Sequence, residues 1–248
     1  MHPEAGGRPG PLALVGSGEY LPVMAGVEGA LIAGRPPRYV QIPTAAAPDG
    51  PQRLRYWLDL GAAQAERLGV EQVPVVIRDR DEADSGDLAA LIRGAGLVYL
   101  SGGHPQFLAR TLRGTRAWAA VEAAWRDGAA LAGCSAGAIA LTGWVPAVRT
   151  PAAEPDPGLA VLPHLRVLPH FDRMRAWAPD LVNRAAAQAP PGPPSTRSRW
   201  RRCGSRTWRS ARSRSPGAAG PRGRRWRWCS GWCTTTPLLR CHPARPRS

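Results

Sequence analysis

The segment Gly-Cys-Ser-Ala-Gly-Ala at residues 133–138 limits the possible folds of this chain more than any other segment. It follows the apolar run 129–132 and precedes the helix-like run 139–141. A Gly-x-Ser-x-Gly turn between a strand and a helix holds its central residue in a strained, exposed conformation and has room only for small neighbours. The helix amides that follow favour an oxyanion beside the Ser135 hydroxyl, as acyl transfer requires. The sequence therefore predicts a nucleophile elbow, with a plain small-residue turn as the alternative.

Short apolar runs alternate with helix-like segments before this turn. The predicted strands are residues 11–15, 39–42, 72–77, 97–100 and 129–132, and the predicted helices are residues 22–32, 52–68, 84–94, 106–112 and 115–126. Continuous apolar strands that alternate with helices are typical of a parallel sheet covered on both faces. We therefore expect an α/β fold with a mostly parallel sheet flanked by helices, and ligands at the carboxyl ends of its strands.

The formal charge of +15 is unevenly distributed along the 248 residues. Residues 1–190 carry 18 arginines and 18 acidic residues, whereas residues 191–248 carry 15 arginines and no acidic residue. A chain of this length is sufficient for one α/β domain with a substantial core. We therefore expect one domain over residues 1–190, followed by a tail over residues 191–248.

The tail has an unusual composition. It contains no Val, Ile, Phe, Tyr, Asn, Gln or Met, but it is rich in Arg, Ser, Pro, Gly, Trp and Cys. Such a segment lacks the residues for strands or for a packed helix face, and we expect it to be disordered.

GC-rich DNA that is translated out of frame gives this kind of composition. One codon choice for residues 192–200, read from its third base, gives Pro-Thr-Val-Tyr-Ala-Leu-Ala-Val, which is typical of a buried strand. We therefore favour a frameshift near residue 190 that replaced the native C-terminal strands. Catalytic activity through Ser135 is the first hypothesis for this chain, and a frameshifted relative without activity is the second. An RNA-binding Arg/Trp tail and simple disorder are the alternatives, and we do not expect a nucleic-acid partner.

Metal, cofactor and membrane binding are not expected. Cys229, Cys233, Cys241 and His242 offer four possible zinc ligands, but their spacing lacks a paired Cys-x2-Cys element. No run approaches the ~20 apolar residues that a membrane span needs, and the first residues do not resemble a signal peptide. We expect a cytoplasmic protein.

Ser135 requires a general base, and the chain has five histidines. His170 is the preferred candidate because it ends a probable strand, where a base can face the turn. His164, in a similar Leu-Pro-His context, is the rival candidate, and a helix-capping role is the alternative for His170. His104 follows a glycine pair and is expected to contact substrate, whereas His2 and His242 lie in terminal segments.

A serine hydrolase usually has an acid that orients the imidazole. Between Ser135 and His170 only Glu154 and Asp156 are available, and both lie in a proline-rich loop. Glu154 is the first choice for this acid and Asp156 the second, with solvated loop charges as the alternative interpretation.

Backbone amides near the turn are candidates for an oxyanion hole. Gly102 and Gly103 can bring amides close to a substrate carbonyl, and the amide of Ala136 directly follows the nucleophile. Cys134 precedes the central serine, so its side chain should point away from the carboxyl end of the sheet and serve only for packing.

Several motifs together resemble the serine peptidase family of aspartyl dipeptidase (dipeptidase E) and cyanophycinase, which has a class I glutamine amidotransferase-like fold. They are Gly-Ser-Gly-Glu at residues 16–19, Ser-Gly-Gly at residues 101–103 with Gln106, the turn at residues 133–138, and the run 158–172 with Pro-His-Phe-Asp at its end. The resemblance covers about residues 11–190, in the order that the family shows.

This resemblance implies Ser135 as nucleophile, His170 as base, and the amides of Gly103 and Ala136 as oxyanion donors, with Gln106 among the substrate contacts. It implies a small peptide substrate, cleaved at a peptide or isopeptide bond next to aspartate. Two departures stand out: His104 replaces a small polar residue after the glycine pair, and residues 191–248 contain no counterpart of the family's last strands.

Overall fold

Five parallel strands form the centre of the structure, a computed structural model that describes residues 8–147, 154–170 and 232–234. These strands are β1 (Leu12–Val15), β2 (Arg38–Ile42), β3 (Glu71–Pro74), β4 (Leu97–Leu100) and β5 (Ala130–Cys134). They lie in the order β3-β2-β4-β5-β1. β5 lies between β4 and β1, and its Gly133 pairs with both Leu100 of β4 and Leu14 of β1. The predicted mostly parallel sheet is thereby confirmed.

Three further short strands lie within the described residues. β6 (Trp144–Val145) pairs antiparallel with β7 (Asp156–Pro157), and β8 (Trp232–Thr234) pairs antiparallel with β1. The prediction that the tail contributes no strand was wrong for β8. Without β8 the outer backbone groups of β1 would be unpaired at the sheet edge, and tryptophan and threonine are favoured in strands.

Seven α-helices lie within the described residues. They are α1 (Ala25–Ile32), α2 (Pro51–Leu68), α3 (Arg80–Ala83), α4 (Gly86–Leu91), α5 (Pro105–Leu112), α6 (Arg116–Arg126) and α7 (Ala136–Ala140), and a 3₁₀ turn at Pro22–Met24 precedes α1. The short α3 was not predicted from the sequence. α4 begins later than predicted because the Ser85 hydroxyl accepts from Leu88 N–H, whereas the Asp84 carboxylate accepts from Arg116 N–H.

The strand residues alternate between two apolar layers. Leu12, Leu14, Val40, Val98 and Leu131 belong to the layer that also contains residues of α5, α6 and α7. Ala13, Val15, Tyr39, Tyr99 and Ala132 belong to the opposite layer, which also contains residues of α1 and α2. The sheet is therefore covered on both faces, as its apolar strands predict.

One face of α2 packs against the sheet. Leu54, Gly61 and Ala65 are buried, whereas Ala62 is exposed. A side chain at Gly61 would collide with the buried Gln41, which donates to the carbonyl of Trp57. A glycine therefore marks the close approach of α2 to the sheet.

Several predictions concern residues outside the described ranges. They are the roles of His2 and His242, the possible zinc ligands, the helix that His170 would cap and the domain boundary at residue 190. Among the described residues, no helix is long and apolar enough to cross a membrane, and no three His, Cys, Asp or Glu side chains are grouped to hold a metal ion.

Glu28 of α1 is a fully buried acid between α2 and the sheet. Its Oε2 accepts from Tyr39 Oη at 2.9 Å and from Gln64 Nε2 at 3.0 Å. Burial raises the pKa of its carboxyl from an ordinary 4.5 to about 7, because the ionised form loses hydration. The folded state therefore binds this proton more tightly than the unfolded state does.

We expect Glu28→Gln to remove a pH dependence from the stability. Because the pKa is raised in the folded state, the contribution of Glu28 is fully present below pH 4.5 and is lost as the pH rises to about 7. At 1.36 kcal/mol per pKa unit, the loss amounts to about 3 kcal/mol. Urea denaturation of both proteins between pH 4.5 and pH 8 measures it.

Glu71→Gln is the matched control, because Glu71 is exposed and its carboxylate pairs with Arg38 at 3.5 Å. Its unfolding free energy should follow that of the wild type across the pH range. Parallel curves for the wild type and Glu28→Gln would contradict the predicted coupling.

Candidate active site

The turn between β5 and α7 holds Ser135 in a strained backbone conformation. Its φ is +48° and its ψ is −105°, which a residue with a side chain rarely adopts. Its N–H donates to the Val15 carbonyl at 2.9 Å, and its carbonyl accepts from Ile139 N–H at 3.0 Å. β1 on one side and α7 on the other therefore fix the position of this serine.

The two glycines of the turn have no room for a side chain. A Cβ on Gly133 would lie 2.6 Å from the carbonyl carbon of Gly137. A Cβ on Gly137 would overlap the Leu100 carbonyl oxygen and would lie 2.8 Å from the Leu100 Cβ. The Gly-x-Ser-x-Gly spacing is thus needed for α7 to pack across the ends of β4 and β5.

Ser135 and His170 are brought together although 35 residues separate them. Ser135 Oγ lies 3.1 Å from His170 Nε2, which is hydrogen-bond distance, and both residues are half-buried. The backbone N–H of His170, whose φ is +48°, donates to the Gly16 carbonyl at 3.2 Å. The rival His164 is exposed and makes no hydrogen bond to Ser135. The structure therefore pairs the serine with His170.

Neither predicted acid joins this pair. Glu154 is exposed, and its backbone carbonyl accepts from Gln106 Nε2 at 3.4 Å. The Asp156 carboxylate accepts from Gln106 Nε2 at 2.6 Å and from Arg110 Nε at 2.8 Å, so it is directed towards α5. Across the described ranges, the His170 ring is hydrogen-bonded to Ser135 alone.

The glycine pair after β4 lies beside Ser135. A Cβ on Gly102 would be 3.5 Å from the Ser135 Cβ. The Gly102 N–H is not available to a substrate, because it donates to Glu19 Oε1 at 3.0 Å. Gly103, with φ +141°, packs against the Ala45 carbonyl, and its amide has no hydrogen-bond partner in the part of the chain that is described. The Ala136 amide, the first of α7, has no intrahelical partner either.

The predicted substrate contacts His104 and Gln106 are held by the carboxylates of Asp49 and Asp156. His104 Nε2 lies 2.8 Å from Asp49 Oδ1, and the His104 amide donates to the Ala45 carbonyl at 2.7 Å. Gln106 is held by Asp156, as described above. His104 directly precedes α5 and Gln106 is its second residue, so both lie at the carboxyl end of the sheet.

Cys134 does more than fill space. It is fully buried, and its Sγ donates to Glu19 Oε2 at 2.8 Å. Burial, followed by the nearby Glu19 carboxylate, raises the pKa of this thiol, so it stays protonated. The contact between Glu19 and Cys134 was not predicted from the sequence. The only sequence signal for it is that Glu19 is an acidic residue at the end of a glycine-rich run after β1.

A serine on a strained strand-to-helix turn, within hydrogen-bond distance of a histidine, is typical of hydrolase-like α/β proteins, and this chain is of that class. The chain belongs to peptidase family S51, whose family model matches residues 13–187. The resemblance predicted from the sequence is thereby confirmed.

Two solved structures resemble this chain. A peptidase from an acI-B1 actinobacterium is 40% identical with a TM-score of 0.69, and the match covers 76% of this chain and 78% of that one. A putative peptidase E protein from Listeria monocytogenes EGD-e is 18% identical with a TM-score of 0.51, covering 71% and 87% respectively, and shows the shared fold alone. Comparison with the sequences of curated proteins gives no match.

We expect Gly137→Ala to distort the turn at Ser135. The added methyl group would overlap the Leu100 carbonyl, and overpacking of this kind costs about 1–3 kcal/mol of unfolding free energy. Gly26→Ala in α1 is the control, because nothing lies within 4 Å of its added methyl group, and it should be neutral or stabilising by up to about 1 kcal/mol. Chemical denaturation measures both, and equal stabilities would contradict the steric account.

Proposed function

We propose that this protein is a serine-type peptidase that forms an acyl-enzyme on Ser135 and uses His170 as general base. The 3.1 Å separation between Ser135 Oγ and His170 Nε2 carries this proposal. Membership of a peptidase family supports the reaction class. The serine hydroxyl is a weak nucleophile by itself, and a base within hydrogen-bond reach is what activates it.

In the proposed reaction, Ser135 Oγ attacks the substrate carbonyl carbon while its proton moves to His170 Nε2. The carbonyl oxygen becomes an oxyanion, which accepts hydrogen bonds from the amides of Gly103 and Ala136. The tetrahedral intermediate breaks its C–N bond as His170 returns the proton to the leaving amine. Water then hydrolyses the ester, with His170 as base for the second time.

The acid that would orient the His170 imidazole is a separate question from the Ser135–His170 pair. Glu154 and Asp156 stay predictions for this role, but the first is exposed and the second pairs with Arg110. The proposed mechanism therefore relies on the Ser135–His170 pair, whose geometry is supported by the hydrogen bond from the His170 amide to the Gly16 carbonyl.

The proposed substrates are small peptides that contain aspartate. This specificity follows from the resemblance to aspartyl dipeptidase and cyanophycinase, which rests on the glycine loops after β1 and β4, the turn at Ser135 and the run that ends at His170.

A fluorophosphonate probe should label Ser135 covalently, because its phosphorus mimics the attacked carbonyl carbon. Ser135→Ala should abolish labelling, and His170→Ala should slow it by about 10²–10⁴-fold, the usual contribution of a general base. His164→Ala is the matched control and should label at the wild-type rate, since His164 is exposed. Labelling rates followed by intact mass spectrometry measure all four proteins.

Two results would count against the proposal. Failure of a folded wild-type sample to label would favour an inactive relative instead. A stronger effect of His164→Ala than of His170→Ala would reassign the base.

Hydrolysis should favour aspartate over its neutral isostere. We expect kcat/KM for an Asp-Leu dipeptide to exceed that for Asn-Leu by at least about tenfold, because a hydrogen bond to a charged group contributes about 1.5–3 kcal/mol. Amine release, measured with Ser135→Ala as the blank, gives the ratio. Equal rates would refute the aspartate preference and leave the serine mechanism intact.

A further inference from the structure

The carboxylate of Glu19 is buried directly behind the turn at Ser135. Only 6% of Glu19 is exposed. Its Oε1 accepts from Gly102 N–H at 3.0 Å, and its Oε2 accepts from the Cys134 thiol at 2.8 Å. Within the described ranges no arginine or histidine pairs with this carboxylate, so these two donors compensate for its burial.

These contacts join three segments at the carboxyl end of the sheet, which forms the rim of the active site. Glu19 belongs to the loop after β1, Gly102 to the loop after β4, and Cys134 to the end of β5, which lies between β1 and β4 in the sheet. One side chain therefore bridges from β1 across β5 to the loop beyond it. The bridge passes next to Ser135, which directly follows Cys134 and is close to Gly102.

The neighbouring residue strengthens the same bridge. Tyr20 is 1% exposed, and its Oη lies 2.6 Å from the Ser101 Oγ. Its φ of +61° is unfavourable for a residue with a side chain. Two consecutive residues of the β1 loop thus hold two consecutive residues of the β4 loop, and one of them does so in a strained conformation.

Gly102 cannot serve as an oxyanion donor while its amide is bound to Glu19, but its orientation determines that of the next peptide. Gly103 follows it and has an amide without a partner among the described residues. Gly103 also cannot shift inwards, because it packs against the Ala45 carbonyl. Fixing the Gly102 peptide therefore limits the positions that the Gly103 amide can occupy.

On the basis of the proposed function, we propose that Glu19 is a positioning residue that holds the glycine loop against the turn, so that the amides of Gly103 and Ala136 meet at one substrate oxygen. Glu19 does not touch the substrate in this role. It acts by accepting the Gly102 amide and the Cys134 thiol, and its geometry matters more than its negative charge.

Kinetics of three variants test this role. Glu19→Ala removes both acceptors and should lower kcat about 100-fold, as loss of an oxyanion donor does, while KM stays within about threefold. Glu19→Gln keeps the length and an acceptor for Gly102, and should retain kcat within about tenfold of the wild type. Glu71→Gln is the control, an exposed acid at the start of β3 whose carboxylate pairs with Arg38, and should leave both constants unchanged.

Hydrogen exchange gives a readout that does not require activity. The Gly102 amide should exchange slowly in the wild type and in Glu19→Gln, and at least about 100-fold faster in Glu19→Ala. The amides of β4 should exchange equally in all of them, which shows that the sheet is folded. Wild-type kcat in Glu19→Ala, or unchanged exchange at Gly102, would overturn the inference while the proposed function stands. A wild type that neither labels nor hydrolyses would instead refute the proposed function, and the catalytic role of Glu19 with it.

Discussion

The active site is built around a close approach of backbone segments at the end of β5. Gly137 packs on the Leu100 carbonyl of β4, and the Ser135 amide donates to the Val15 carbonyl of β1. Both contacts require that β5 lies between β4 and β1, as the sheet order provides. The positive φ of Ser135 is unfavourable by itself and persists because the packing on both sides leaves no alternative.

The same sheet order explains why distant loops meet at one serine. Parallel strands place their carboxyl ends on one edge, so the loops after β1, β4 and β5 converge there. Gly16 then accepts the backbone amide of His170, and Glu19 accepts that of Gly102. Hydrogen bonds from two backbone amides thus set these positions: the His170 amide donates to a backbone carbonyl, and the Gly102 amide donates to a side-chain carboxylate.

Local sequence patterns could predict the five parallel strands and most of the helices, but only part of the site. The spacing of Gly133 and Gly137 is a local requirement of the turn, so the position of Ser135 follows from the sequence. Glu19 and Gly102 are 83 residues apart, and no local pattern reports their contact. Asp156 was a candidate acid by its distance along the chain, but β7 places it beside α5, where Arg110 and Gln106 bind its carboxylate. Competing partners of this kind arise only in the folded chain.

The pairing of Glu19 with Cys134 also explains how a thiol can directly precede the proposed nucleophile without replacing it. Burial and the carboxylate together raise the pKa of Cys134, so the sulfur carries a proton and lacks the thiolate that would react. A thiolate at this place would repel the Glu19 carboxylate and remove one of its two donors. The protonated thiol instead stabilises the buried charge. Burial is therefore the main reason why Cys134 is unreactive, and the hydrogen bond to Glu19 that adds to this effect also keeps Glu19 in place behind Ser135.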